Sequence, residues 1–398
     1  MRTEASVLPS IGEVKNICVF VADALRWDYL PKSIRERGLT CKTVAASLTT
    51  HTSLPSMVTG LWPERHGVFS WRGQVPEVSS LLEHPGFDCG YFMPGDEGTI
   101  NDGTFSVLRQ DERRQLESLN SPFSYFERHH GGHAPFKAAG WQDSYEEFID
   151  QFSGDSAKHR HWYQKAVEGT VTDFENRLSI LREMDELENT LIVFTSDHGE
   201  YLGEHGLVDH SSPLRPEAAY VPTVFFHPEL PNGESAEGIM RHVDLYPTLL
   251  SATGEEIPDH VNGVDLFEKS PEQGYTVSTM NQYIRKKVVS FHDAIGVWDE
   301  AGGRVLNRTN LTKRPLSVLG LIAAPGWQAT HLRRTPGNFL DAVFHYLQSR
   351  RTYDNPGFGW EVVEKWKKEH QEMNPIQEIE SSEISGETES RLEDLGYL

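Results

Sequence analysis

The chain predicts an α/β fold: a large, mixed but mostly parallel sheet flanked by helices, then a small C-terminal antiparallel subdomain. Three observations lead there. Short unbroken apolar runs, NICVFVA at 16–22 and LIVF at 191–194, read as strands buried on both faces. Such runs alternate with helical patterns, the order that builds parallel sheets. After about residue 265 the texture changes, and residues 275–306 alternate in the antiparallel manner, with a Gly-Gly turn in VVSFHDAIGVWDEAGGRVL. A chain of 398 residues is long enough for one large domain and a smaller appendage, or for two ordinary domains. The expected division is 1–270 and 271–398.

Taken in order, the first strand ends on Asp23, and residues 39–44 form a second strand. From Ser53, SLPSMVTG reads as a helix start, with Ser53 as N-cap and Pro55 in the first turn. Residues 74–120 are mixed α/β without assignable chemistry. The segment SPFSYFERHHGGHAPF, 121–136, begins as a strand and ends in a histidine-rich Gly-Gly loop. Residues 159–187 form a long helix with Trp162, Ala166, Phe174, Leu178 and Leu181 along one face, leading into the strand at Leu191–Phe194. Val224-Phe225-Phe226 supplies a further strand and Val243–Leu250 opens a short helix. Residues 310–370 read as helical, and 371–390 as a Glu/Ser-rich peripheral segment. There are no internal repeats.

Lys+Arg is 37 against Asp+Glu 59, a formal net charge of −22. Such a surface repels nucleic acid and anionic lipid, so neither is an expected partner. High acidity with few lysines is also how halophilic proteins stay soluble. An anionic substrate needs a local positive charge to offset this field, most simply a metal. The three cysteines give no disulfide framework, and Cys18 and Cys41 read as small core residues. MRTEASVLPSIGEV has no apolar leader region and no stretch approaches 18 apolar residues, so no membrane span and a cytoplasmic location are expected. Oligomeric state is not legible.

The most informative segment is TSDHGEYLGEHGLVDH, Thr195 to His210. Ligands of open α/β sheets bind beyond the carboxyl ends of strands. Here such an end carries Asp197 and His198 side by side, then His205 and His210 in a Gly-punctuated loop. Carboxylate beside imidazole suits Mn²⁺, Zn²⁺ or Fe²⁺ better than Ca²⁺, which takes oxygen alone. Asp23 is at a second strand end, where it is either a ligand or the N-cap of a helix in ALRWDYL; Asp28 belongs to that helix. Thr50 precedes a helix N-terminus, a setting of free N–H groups that suits phosphate or sulfate. Thr49, Thr52 and Ser53 compete with it. His133, with His129 and His130 nearby, is placed to bond an oxyanion or protonate a leaving group. His66 reads as structural.

Together, VFVADALRWD, TTHTSLPSMVTGLWPERHGV, HAPF, NTLIVFTSDHGEYLGEHGLVDH, YVPTVFFHP and HVDLYPTLL resemble, in order, the sulfatase family of the alkaline phosphatase superfamily. The terminal SRLEDLGYL resembles a common ending of that family, and the acidic composition fits a haloarchaeal source. The resemblance spans roughly 15–270 and is poor over 300–390. It implies the superfamily's large sheet with a small C-terminal subdomain. It also implies one divalent metal on Asp23, Thr50, Asp197 and His198, with Mn²⁺ or Zn²⁺ favoured and Ca²⁺ or Mg²⁺ as alternatives. Thr50 takes the nucleophile's place, His133 contacts the anionic group, and His205 or His210 lines the pocket.

Three departures bear on the chemistry. Sulfatases convert a cysteine or serine to formylglycine within a Cys/Ser-x-Pro-x-Arg motif, whereas this chain reads Thr50-His51-Thr52-Ser53-Leu54. Paired aspartates become Asp23-Ala24, and His198 stands where calcium-dependent members carry asparagine. The expected activity is therefore hydrolysis or transfer of a phosphate or sulfate ester, on a small molecule or glycan. Phosphoester is favoured, because a sulfo-threonine lacks the geminal hydroxyl that lets formylglycine expel sulfate. The alternatives are a true glycan sulfatase and a non-catalytic anion binder.

Overall fold

The computed structural model describes residues 6–94, 103–210, 213–284, 287–323 and 326–377. Most of the Glu/Ser-rich segment and the terminal SRLEDLGYL lie outside the described residues. The first five strands are β1 (Asn16–Ala22), β2 (Leu39–Val44), β3 (Asp88–Phe92), β4 (Phe123–His129) and β5 (Thr190–Thr195). A two-stranded hairpin follows, β6 (Tyr201–Leu202) and β7 (Val208–Asp209), then β8 (Tyr220–Phe226) and β9 (Ser235–Arg241). Without the hairpin these strands make one seven-stranded sheet in the order β3-β4-β1-β5-β8-β2-β9.

The unbroken apolar run of β1 is explained by its place in that sheet. It pairs in parallel with β4 on one side and β5 on the other. Ile17, Val19 and Val21 enter one core while Cys18, Phe20 and Ala22 enter the core on the opposite face. The long helix Ser156–Glu183, capped by the Asp155 carboxylate on the Lys158 N–H at 2.9 Å, covers the second face with Tyr163, Phe174, Leu178 and Leu181. All strands run one way except β8, which is antiparallel to both β5 and β2. Its amino end therefore reaches the ligand edge, where the Ala218 and Ala219 carbonyls accept from Gly199 N at 2.9 Å and Ala45 N at 2.8 Å.

Two local expectations are corrected. The helix expected from Ser53 spans Thr50–Thr59, so Thr50 is its first residue and Pro55 lies inside it. The Ser53 hydroxyl does not cap; it donates to the Ser47 carbonyl at 2.9 Å and accepts from Ser47 N at 3.2 Å, folding the preceding loop. Nor does Asp23 cap a helix, because ALRWDYL holds only a short 3-10 turn at Trp27–Tyr29.

The C-terminal part is a four-stranded antiparallel sheet, in the order β10 (Gly274–Ile284), β11 (Lys287–Asp299), β12 (Gly302–Asn307), β13 (Arg350–Asp354). The glycines expected as a turn lie inside β12. A Cβ on Gly303 would stand 2.0 Å from the Trp298 ring, so glycine is required for close packing there. This sheet braces the main one. Val277 N donates to the Ala46 carbonyl at 2.9 Å, and the Thr276 hydroxyl to the Ala45 carbonyl at 2.7 Å, just before Thr50.

Candidate active site

Carboxyl ends of β1, β4, β5 and β2 meet at one edge of the sheet, and each delivers a polar side chain. Asp23 follows β1, Asp197 and His198 follow β5, and Thr50 follows β2; all four are buried. The loop after β4 folds back on Asp23 through Gly132 N, which donates to the Asp23 carbonyl at 2.8 Å. Gly131 makes this approach possible: its φ is +55°, and a Cβ there would lie 2.0 Å from the Asp23 carbonyl oxygen.

Each aspartate has one satisfied oxygen and one bare one. Asp23 Oδ2 accepts from the Arg128 guanidinium, and Asp197 Oδ1 from the N–H groups of His198 at 3.1 Å and Ala24 at 3.3 Å. Asp23 Oδ1 and Asp197 Oδ2 are buried without a hydrogen-bond partner. Both lie 3.5 Å from His198 Nε2. His198 Nδ1 lies 3.0 Å from the Gly199 carbonyl and donates to it, so Nε2 presents a lone pair. Thr50 Oγ1 lies 3.2 Å from that nitrogen. Two carboxylate oxygens and an imidazole lone pair thus converge in a buried site, and the Thr50 hydroxyl bonds His198 Nε2. Uncompensated buried anions are costly, and a cation between them removes that cost. Asp23, Asp197 and His198 each offer a ligand atom within 4.8 Å of the others, and this donor set fits a divalent metal.

His210 belongs to this group. Its ring stacks on His198 with centroids 3.9 Å apart, and its Nδ1 is 2.6 Å from the Leu48 carbonyl. That bond makes its Nε2 an acceptor, and His133 Nδ1 likewise faces the Ala134 carbonyl, so the two neutral rings turn Nε2 lone pairs toward each other at 3.1 Å, a place for one shared proton. Burial, followed by the neighbouring histidines, lowers both pKa values and keeps the pair neutral near pH 7. His205 is placed elsewhere: it is half-exposed, its Nδ1 donates to Asp341 Oδ2 at 2.5 Å, and its ring faces His345 at 5.5 Å. The expectation that His205 shares the pocket with His210 is thus not met, because the left-handed φ of +56° at His205 turns it toward the C-terminal helices. Of the competing hydroxyls, Thr49 bonds Ser47 at 3.2 Å and Ser53 bonds Ser47, whereas Thr52 Oγ1 is buried without a hydrogen-bond partner. His66 is structural, accepting from Val68 N at 3.0 Å and pairing with Ser56 at 3.1 Å, and burial lowers its pKa to about 3.

Sequence reading missed three residues here. Arg128, at the end of β4, holds Asp23 in place, and with Met93, His130, His133 and Lys137 it lines the cleft that opens onto that aspartate. His242, in HVDLYP, ties two loops together, Nε2 donating to the Ser196 carbonyl at 3.0 Å and Nδ1 accepting from Ala46 N at 3.2 Å. Glu200 is fully buried, and burial, followed by the charge of Asp209, raises its pKa well above the carboxylate range. Only the charge of Arg128, between Glu127 and His129 at a strand end, was visible as a signal in the sequence.

Comparison with known proteins agrees with this geometry. The sulfatase family profile matches residues 108–255. The chain is 32% identical over 408 residues to the low-salt glycan biosynthesis sulfotransferase Agl7 of Haloferax volcanii, covering 96% of each protein. It is 28% identical over 189 residues to the N-acetylglucosamine-6-O-sulfatase of Bacteroides thetaiotaomicron, covering 44% of this chain and 33% of that one. In fold it is similar to the phosphonate monoester hydrolase of Agrobacterium radiobacter, with a TM-score of 0.57 and 15% identity over 83% of this chain and 96% of that one. A 2-O GAG sulfatase gives a TM-score of 0.58 at 12% identity over 93% and 95%. The chain belongs to the sulfatase family, within the alkaline phosphatase superfamily of enzymes. Members of that superfamily typically use a divalent metal. Among the described residues, no helix is long and apolar enough to cross a membrane.

Proposed function

We propose that the protein transfers the anionic group of a sulfate or phosphate ester to an acceptor hydroxyl, with Thr50 as the nucleophile. The carrying observation is the Thr50 hydroxyl, 3.2 Å from His198 Nε2 at the rim of two unpartnered carboxylate oxygens. Asp23, Asp197, His198 and Thr50 would hold one divalent metal, Mn²⁺ or Zn²⁺ by donor type, which supplies positive charge beside the ester anion. Thr50 Oγ1 bonds to sulfur or phosphorus as the leaving oxygen departs. His133 lines the cleft, and the facing Nε2 atoms of His133 and His210 would take up the proton that Thr50 gives up and return it to the leaving oxygen. Arg128 and Lys137 give the cleft a positive rim suited to an anion.

A threonine ester has no geminal hydroxyl with which to expel sulfate, so its discharge needs a second displacement by an incoming oxygen. That chemistry favours transfer over hydrolysis when the group is sulfuryl. The full-length Haloferax relative, named as a glycan biosynthesis sulfotransferase, supports a glycan as the acceptor. A phosphoester donor remains the competing form, since phospho-threonine is discharged by water as well. The acidic composition and the haloarchaeal relative support a haloarchaeal source, and a cytoplasmic location is part of this proposal.

The test is a panel of aryl sulfates, aryl phosphate mono- and diesters and phosphonates with Mn²⁺, Zn²⁺, Mg²⁺ and Ca²⁺, each with and without a glycan acceptor. Acceptor-dependent release from an aryl sulfate, with a mass increase of sulfate on Thr50 in its absence, is the expected result. Acceptor-independent phosphate ester turnover would replace transfer by phosphoester hydrolysis. No turnover and no retained metal would make the protein an anion binder.

A further inference from the structure

Charge is not spread evenly over this chain. Between Gly303 and Thr352 stand eight arginine and lysine residues and one acidic residue, Asp341, in a molecule of net charge −22. The same stretch leaves large apolar side chains uncovered: Leu311 is 70% exposed, Leu319 58%, Leu340 67%, Phe344 53% and Leu347 41%. Among the described residues the one other exposed large apolar side chain is Ile257, at 36%. Scattered apolar residues on a surface need no explanation, but five drawn from one short stretch do.

Local geometry explains how they come together. Leu340, Phe344 and Leu347 recur at helical spacing on the outer side of helix Phe339–Leu347, whose inner side buries Ala342, His345 and Tyr346. That helix packs on helix Arg314–Ala323, which carries Leu319. Exposed cations stand on or next to the same helices, while Arg308 and Arg314 are turned inward. Lys313 is exposed at the start of one helix, Arg333 and Arg334 at the end of helix Trp327–Arg334, and Arg350 just after Leu347. Arg334 and Arg350 are in exposed ion pairs with Asp150 at 2.6 Å and Glu364 at 2.8 Å, of a kind that water screens and that exchanges readily.

We propose that this face docks on an anionic lipid surface and holds the protein at a membrane without crossing it. The occupant follows from charge. A second copy would bring the same positive face to itself, which like-charge repulsion opposes in a two-fold contact. A bilayer with anionic headgroups offers the complement of both features, negative charge outside and apolar volume beneath. The acidic remainder of the molecule is repelled by the same surface, so docking has one orientation. Expected repulsion from anionic lipid, read from the whole-chain charge, therefore applies to the body of the molecule and not to this face. The face also adjoins the catalytic edge, since Gln328 accepts from Val208 N and donates to the Gly206 carbonyl, both at 2.8 Å, in the hairpin that leads to His210.

The experiment is co-sedimentation of the full chain with phosphatidylglycerol vesicles and with phosphatidylcholine vesicles at low and high salt. Binding to phosphatidylglycerol at least about tenfold tighter than to phosphatidylcholine is expected, weakening with salt. The exposed-site variant Leu340→Ser, Phe344→Ser, Leu347→Ser should lose about tenfold or more, and Ile257→Ser nothing. Lys313→Glu with Arg333→Glu should lose phosphatidylglycerol binding and serves if the apolar variant fails to fold. Absence of wild-type binding to phosphatidylglycerol, or equal binding by these variants, overturns the proposal. So does wild-type self-association, or capture of an acidic protein, that the apolar variant abolishes while vesicle binding is unchanged.

Discussion

Two groups of aspartate and histidine in this molecule each bring their ligand atoms within 4.8 Å of one another: Asp23, Asp197 and His198, and His205, Asp341 and His345. Residue types hardly distinguish them; their hydrogen-bond donors do. In the first, Arg128 and two backbone N–H groups take the outer carboxylate oxygens, leaving Asp23 Oδ1 and Asp197 Oδ2 bare beside His198 Nε2, which bonds the Thr50 hydroxyl. In the second, the donors point inward. His205 donates to Asp341, and the Arg215 and Arg351 guanidinia press on the two nitrogens of His345, with Arg351 2.7 Å from Nε2. A cation is invited by the first arrangement and repelled by the second. Surrounding groups, not ligand identity, make a metal site.

The comparison is broken most severely at Thr50 and Asp197. Thr50→Ala should lower turnover of a good aryl ester by at least about 10³-fold while metal content, read by mass spectrometry, stays stoichiometric. Asp197→Asn should lose the metal itself. Its melting temperature should then match that of chelator-treated wild type, since a ligand at 1,000 times its Kd stabilises by about 4 kcal/mol. If chelation leaves the wild-type melting temperature unchanged, the first cluster is not a metal site. Arg128→Ala leaves the ligands but frees Asp23, and should weaken metal affinity by about 10–100-fold. Unchanged affinity would assign Arg128 to the cleft alone.

Smaller effects belong to the second cluster. Burial, then Arg215 and Arg351, lowers the His345 pKa to about 3. The unfolded chain therefore takes up this proton first as pH falls below about 6.5, and stability is lost between there and about pH 3, by at most roughly 1.4 kcal/mol per pH unit. His345→Gln should flatten that acid limb in urea unfolding. Asp341→Asn removes a half-exposed partner and should change stability by no more than about 0.5 kcal/mol, with metal content unaltered. A loss of bound metal in Asp341→Asn would erase the distinction between the clusters.

Much of the site was legible before the fold. Asp23 and Asp197-His198 were readable because apolar runs buried on both faces must be parallel strands, and their carboxyl ends are where such sheets bind ligands. Thr50 was readable from its hydroxyl-rich helix start, although the helix begins three residues earlier than Ser53 suggested. His205 and His210 could not be told apart, five residues from each other in one glycine-rich loop. A left-handed turn at His205 decides between them, and no local pattern announces it.

By itself the sequence determined the sheet, its ligand edge, the family and the residue types available for chemistry, because periodicity and motif order are local properties of the chain. Tertiary structure alone decided which donors face which acceptors. It set Arg128 on the outer oxygen of Asp23, turned two arginines onto His345, and left five apolar side chains between residues 311 and 347 exposed. Asp23 and Arg128 are 105 positions apart and Arg215 and His345 130, while Arg351 and His345 are 6 apart but meet only through the packing of a helix on a strand, and none of this is written in composition.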